Sequence, residues 1–307
     1  MKRAYLFFVL VMIGSLAIGC SSKSPSTPIA GGLNTPLSYS IFHTIGMGGS
    51  GSNGTFEDGP SGLAVALGAI YVADSGYSAI DKFDLQGNFL GQYLYHSNED
   101  IGGIAADRNG NVYATNYENG SVDEFDKNLH YIHSFTGGQF GINYNFSGPY
   151  GVTLDNDRNL YVADYSAEVV YKVNQSDNII ATSSGPIPLS EPYQIARDSN
   201  GNLYVADYDY ERITIFNSSL VSTGSFDGSN GAAAFSGPTG VSVDSQGNLI
   251  VADYDGSTVR SYTTSGVFLR NIGNTSAWSS PFFTATDGAG SLYVSDFDNE
   301  DVTVLNP

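Results

Sequence analysis

A lone cysteine, Cys20, excludes an internal disulfide and a cysteine-built zinc site. Packing and hydrogen bonds must therefore hold the fold. Basic residues are also scarce: 12 Lys and Arg face 31 Asp and Glu, a formal charge of -19. Such a surface repels phosphate backbones and lacks the basic patch from which nucleic-acid binding starts, so no nucleic-acid partner is expected. Charged residues are only 14% of the chain, too few for a disordered acidic tail. Hydrophobic residues at 41%, with 21 Tyr and 17 Phe, are enough for a core. The 37 glycines beside so many aromatics favour strands and turns over helices.

The amino terminus reads as an address. Met1-Lys2-Arg3 is positive, Ala4 to Ile13 is almost continuously apolar, and the apolar character continues to Ile18. The run is short for a spanning helix with two flanks and fits a secretory signal. Ala17-Ile18-Gly19-Cys20 resembles the bacterial lipobox, with Ala17 where Leu is usual. The resemblance implies cleavage before Cys20, diacylglycerol on its thiol, and a lipid-anchored place in the bacterial cell envelope. In a Gram-negative host, Ser21 in place of Asp points to the outer membrane and periplasm. An ordinary signal peptide with an incidental cysteine is the alternative. Residues 1–19 are thus expected to be the signal. Residues 20–38, rich in Ser, Thr, Pro and Gly, form a flexible tether.

Residues 39–307 are organised by repetition. Tyr71-Val72-Ala73-Asp74 returns as Tyr161-Val162-Ala163-Asp164 and Tyr204-Val205-Ala206-Asp207. Variants are Tyr113-Ala114-Thr115-Asn116, Ile250-Val251-Ala252-Asp253 and Tyr293-Val294-Ser295-Asp296, so that six copies end 42 to 48 residues apart. Each copy has one grammar. A turn such as Gly148-Pro149-Tyr150-Gly151 leads into a short apolar run, a tight turn such as Asp198 to Asn202 follows, then the Tyr-Val-Ala-Asp strand, a loop and two more strands. Four short strands per repeat predict a six-bladed, all-β propeller of antiparallel blades. The sixth copy stops after its third strand, Val302 to Leu305, whereas Tyr39 to Gly46 reads as an orphan fourth strand. Placing the orphan in the last blade closes the ring and removes an open edge.

The motif is most complete from Gly237-Pro238-Thr239-Gly240-Val241 to Asp253, and it resembles the NHL repeat. Blade one departs from it with Ala66-Leu67-Gly68-Ala69 in place of the Asp turn, and blade two has Asn116 for Asp. The resemblance implies the fold but not an activity, since propellers of this kind include binding modules, sensor domains, lyases and lactonase relatives.

Loops that precede strand one and loops that follow strand two emerge on one face of a propeller. That face collects Tyr117, Tyr165, Tyr208, Tyr254 and Phe297, each directly after a motif Asp or Asn. Blade one has Ser75 there, with Tyr77 two residues on, and the proline turns before strand one add Tyr150, Tyr193 and Phe282. Asp209 and Asp255 accompany them. The expectation is an aromatic ring with carboxylates about a central opening, able to bind a peptide, glycan or protein. The competing reading is that the aromatics pack between blades and the motif Asp only caps its loop.

Catalytic constellations are thin. His43, His96, His130 and His133 all fall in or beside predicted fourth strands, away from the channel where lyases of similar fold carry histidines. Asp58-Gly59-Pro60 loosely resembles a gluconolactonase-type ligand turn, but Tyr150 and Thr239 stand where that family has metal-binding Asn or Asp. No metal or other cofactor is expected, with Ca²⁺ on the pairs Asp207/Asp209, Asp253/Asp255 and Asp296/Asp298 as the exception. A metal-assisted hydrolase, lyase or lactonase using mouth carboxylates is the alternative function. Arg197 stands out: other blades have Val65, Ala106, Leu154, Val243 or Thr286 at that inner place. It must find an ion-pair partner or contact an anion in the channel.

Overall fold

The computed structural model describes residues 37–46, 54–56, 59–96, 99–138, 146–273 and 276–307. Cys20, the lipobox, the start of the tether and Asp58 lie outside these residues. Among the described residues there are 24 strands and no helix, and no helix long and apolar enough to cross a membrane.

The strands form six four-stranded sheets. Blade one is β2 (Pro60–Ala66), β3 (Ala69–Asp74), β4 (Ala79–Asp84) and β5 (Phe89–Leu94). Blade two is β6 (Ile101–Ala106), β7 (Val112–Asn116), β8 (Ser121–Phe125) and β9 (Tyr131–Phe135). Blade three is β10 (Pro149–Leu154), β11 (Leu160–Asp164), β12 (Val169–Val173) and β13 (Ile179–Thr182). Blade four is β14 (Pro192–Arg197), β15 (Leu203–Asp207), β16 (Arg212–Phe216) and β17 (Ser222–Phe226). Blade five is β18 (Pro238–Val243), β19 (Leu249–Asp253), β20 (Thr258–Tyr262) and β21 (Phe268–Ile272). Blade six is β22 (Pro281–Thr286), β23 (Leu292–Asp296), β24 (Asp301–Asn306) and, from the other end of the chain, β1 (Ser40–Ile45). The innermost strand of each blade packs on that of the next, and β22 on β2 completes the circle.

The closing strand is where the repeat count required it. β1 pairs antiparallel with β24, from Ser40 opposite Asn306 to Ile45 opposite Val302, with an irregularity between Ile41 and His43. Buried Ile45 and Phe56 then join Leu63, Val72, Phe83 and Val304 in one apolar cluster between blades six and one. Each of the other five seams has its own cluster. The motif tyrosine serves these seams: Tyr71, Tyr113, Tyr161, Tyr204 and Tyr293 are buried among them.

The hairpin between strands one and two follows from the Asp-x-x-Gly-Asn sequence. Asp198 Oδ1 accepts the backbone N–H of Asn200 and of Asn202, each at 2.9 Å, while Gly201 takes a φ of 86°. A side chain would be strained in that left-handed conformation. Blade one makes the turn without the Asp. Leu67 and Gly68 both take positive φ, 49° and 77°, as a two-residue hairpin turn of the primed type requires.

Candidate functional site

The motif carboxylates build the loops of one face. Asp164 accepts the N–H groups of Ser147, Gly148 and Ala167 at 2.8 to 3.0 Å. Asp253 does the same for Ser236 and Gly237, and Asp296 for Ser279 and Ser280. Each Asp thus ties the loop before strand one to the end of strand two. Arg212 pairs with Asp207 and Arg260 with Asp253 beneath these loops. The members of the Asp207/Asp209 pair point to different surroundings: Asp207 is fully buried on Arg212 and Thr214, whereas Asp209 is exposed and accepts Ser190 Oγ at 3.1 Å. Among the described residues no three His, Cys, Asp or Glu side chains come together as a ligand set.

Side chains from the innermost strands form tiers across the axis. The third residue of these strands is Gly62, Gly103, Gly151, Gln194, Gly240 and Phe283 in blades one to six. Glycine lets neighbouring strands approach: a Cβ on Gly151 would lie 2.1 Å from the Tyr193 carbonyl oxygen. The space left at the axis is taken by Gln194 and Phe283. Gln194 donates to the Thr284 carbonyl at 2.8 Å and accepts the N–H of Val241 at 2.8 Å and of Thr284 at 3.1 Å, joining three blades.

One tier nearer the surface, the residues are Ser61, Gly102, Tyr150, Tyr193, Thr239 and Phe282. Tyr150 lies 4.7 Å from Tyr193 and 6.1 Å from Phe282, and Tyr193 lies 5.6 Å from Phe282, all between ring centroids. Blades three and six stand opposite each other, so the Tyr150–Phe282 contact crosses the axis. The three rings plug the channel where an opening was expected. The outer ring joins them. Tyr117 and Tyr165 meet Tyr150, Tyr208 meets Tyr193, and Tyr254 and Phe297 meet Phe282, at 5.5 to 6.4 Å. Burial raises the hydroxyl pKa of Tyr150 and Tyr193. Tyr165 is pushed up to about 12, first by burial and then by Glu191. Tyr208 is also pushed up to about 12, first by its 2.8 Å hydrogen bond to Asp255 and then by burial. These phenols are donors at neutral pH.

The open part of the face is off-centre. Blade one has Ser61 where blades three, four and six have aromatics, and Ser75 where every other blade has one; blade two has Gly102 on the Ser61 tier. A cleft of about 430 Å³ results, lined by Ser75, Gly76, Ser78, Glu99, Asp100, Tyr150 and Phe297. Beneath it Ser75 Oγ donates to the buried Ser61 Oγ at 2.9 Å, and Ser61 Oγ to the Ile101 carbonyl at 2.7 Å. Glu99 Oε2 accepts Asn116 Nδ2 at 2.7 Å. Blade two's departure from the motif therefore has a cause, because an Asp there has no N–H to give Glu99. Burial, then the nearby Glu118 charge, raises the Asp100 pKa.

The expected residues thus divide. Tyr117, Tyr150, Tyr165, Tyr193, Tyr208, Tyr254 and Phe297 form one connected aromatic surface. Asp255 is tied to Tyr208, Asp209 stays at the exposed periphery, and Tyr77 lies in the turn after β3. Glu99 and Asp100 were not anticipated. The signal was present in the repeat, since Asp100 stands directly before strand one, where blades one, three and five have Gly59, Gly148 and Gly237. The four histidines belong to outer strands or their ends. His43 is in β1 with its pKa lowered by burial, and His133 is in β9. His130 precedes β9 and meets Asp126 at 3.0 Å.

Comparison with known proteins agrees on fold. The NHL-repeat family model matches residues 235–262, the copy that carries the fullest motif. No curated protein matches. Among solved structures, virginiamycin B lyase from Staphylococcus aureus is 14% identical, with 88% of this chain and 99% of that one covered and a TM-score of 0.61. A gluconolactonase from Xanthomonas campestris is 14% identical, with 87% and 98% covered and a TM-score of 0.66. A Bacteroides thetaiotaomicron protein of unknown function is 16% identical, with 87% and 75% covered and a TM-score of 0.68. Identities this low speak to architecture alone. The chain is a six-bladed β-propeller with an NHL repeat.

Proposed function

We propose that this propeller is a non-catalytic binding module, held in the bacterial cell envelope by lipid on Cys20. Its ligand is a peptide, glycan or protein contacted by the aromatic-acidic face. The observation that carries the reading is the cleft over blade one, where two aromatic rings, Tyr150 and Phe297, stand beside two carboxylates, Glu99 and Asp100. Rings give stacking area and the carboxylates favour a cationic group such as an amino terminus or a lysine side chain. A panel of envelope glycans and basic peptides tests it. Binding that survives the double change Asp100→Asn and Phe297→Ala at full strength removes the cleft from the site. Metabolic labelling with palmitate tests the anchor, which Cys20→Ala is expected to abolish.

A second reading is kept because similar folds include a lyase and a lactonase. In it the mouth carboxylates assist a hydrolytic or eliminating reaction with a metal. Stoichiometric Ca²⁺ or Zn²⁺ in purified protein, with lactone hydrolysis that a chelator stops, would replace the binding reading with this one.

A further inference from the structure

We infer that the channel end opposite the aromatic face binds a small monocarboxylate with a short apolar tail, its carboxylate held by Arg197. The inner strands enclose a cavity of about 260 Å³ below Gln194, separate from the cleft above the aromatic plug. At about 30 Å³ per water this is room for a molecule of pentanoate size. Gln194 closes the inner end, its amide oxygen accepting two N–H groups and its nitrogen donating to Thr284. Arg197 lies at the last tier with Val65, Ala106, Leu154, Val243 and Thr286, and Thr153, Ser242 and Thr284 also reach the cavity.

Arg197 differs from the paired cations of the ring. Arg158, Lys172, Arg212 and Arg260 each hold a carboxylate. Among the described residues Arg197 makes no ion pair. The adjacent Asp198 is not its partner, because that carboxylate is engaged by Asn200, Asn202 and Tyr204. A guanidinium left this way lacks the planar, two-oxygen acceptor that suits it best. A carboxylate supplies that acceptor, and the Val65, Ala106, Leu154 and Val243 side chains suit a short alkyl tail within a wall that also carries Thr153, Ser242, Thr284 and Thr286. The turn aspartates near this end oppose anions in general. They favour one negative charge over two, hence a carboxylate rather than a phosphate dianion.

The test is saturation-transfer NMR on the full-length protein with pentanoate, pentylamine, inorganic phosphate and an acetylated peptide ending in a free leucine carboxylate. The expected result is saturable pentanoate binding, with none of pentylamine or phosphate. Arg197→Leu should weaken pentanoate binding at least about tenfold. The substitution is expected to fold, because blade three already has Leu154 at this tier. Arg197→Lys, which keeps the charge, should retain part of the binding. No pentanoate binding up to about 20 mM, or equal binding by Arg197→Leu, overturns the inference. Binding of the peptide alone overturns it too, and assigns the channel to a chain end instead of a free acid. None of these outcomes bears on the cleft of the opposite face.

Discussion

Replacing Asp81 with Asn should stabilise the ring at neutral pH and not in acid. Asp81 lies on β4 opposite Val72, on the blade face that forms the closing seam with blade six, and is 3% exposed. Burial alone pushes its carboxyl from 3.8 up to about 7. The folded chain therefore keeps a proton that the unfolded chain releases. Stability from this group is complete below pH 3.8, is lost as pH rises, and is gone above about 7. A shift of this size, at about 1.36 kcal/mol per unit, corresponds to roughly 4 kcal/mol, an upper figure because the buried site relaxes. For a domain of this size that is on the order of 10 °C in Tm. Chemical denaturation of both proteins from pH 3.5 to 8 gives the difference curve. It should start near zero in acid and grow through pH 4 to 7. Asp301, also raised to about 6, titrates in both proteins and cancels. A difference that stays flat with pH would refute the claim that Asp81 is folded as the neutral acid.

Other outcomes follow from named contacts. Restoring the repeat by Asn116→Asp should destabilise, by about 2 kcal/mol, because the new carboxylate faces Glu99 without an N–H to donate. Leu67→Asn should stabilise by about 1 kcal/mol in thermal unfolding, since an exposed leucine at φ 49° occupies a turn that favours Asn. Arg158→Ala should cost about 2 kcal/mol, because it removes the bridge from blade three to Asp107 and Glu124 of blade two. A cationic peptide should bind the cleft more tightly as pH rises through the raised pKa of Asp100, and Asp100→Asn should flatten that dependence in calorimetry.

The architecture was legible because every level of the sequence repeats it. Tyr204 to Asp207 is a strand, Asp198 to Asn202 is a turn, and the missing fourth strand of the last copy matches a spare one near residue 40. The site was only half legible. The repeat gathers Tyr150, Tyr193 and Phe282 on one face, but whether three rings leave a hole depends on which blades carry them. Blades three and six are opposite, and that circular relation has no counterpart along the chain. The cleft was harder still, because it arises from small residues, Ser61, Ser75 and Gly102, and a search for functional groups passes over them. Arg197 announced itself by breaking an apolar register, while its lack of an ion-pair partner needed coordinates.

The pairing of β1 with β24 also sets an order of events during folding. β1 comes first among these strands along the chain and has no mate until residues 301–306 are available. Every intervening blade can form while the circle stays open. A chain that ends early carries a bare edge and an uncovered Ile45, features by which proteases and chaperones distinguish an unfinished product from a complete one.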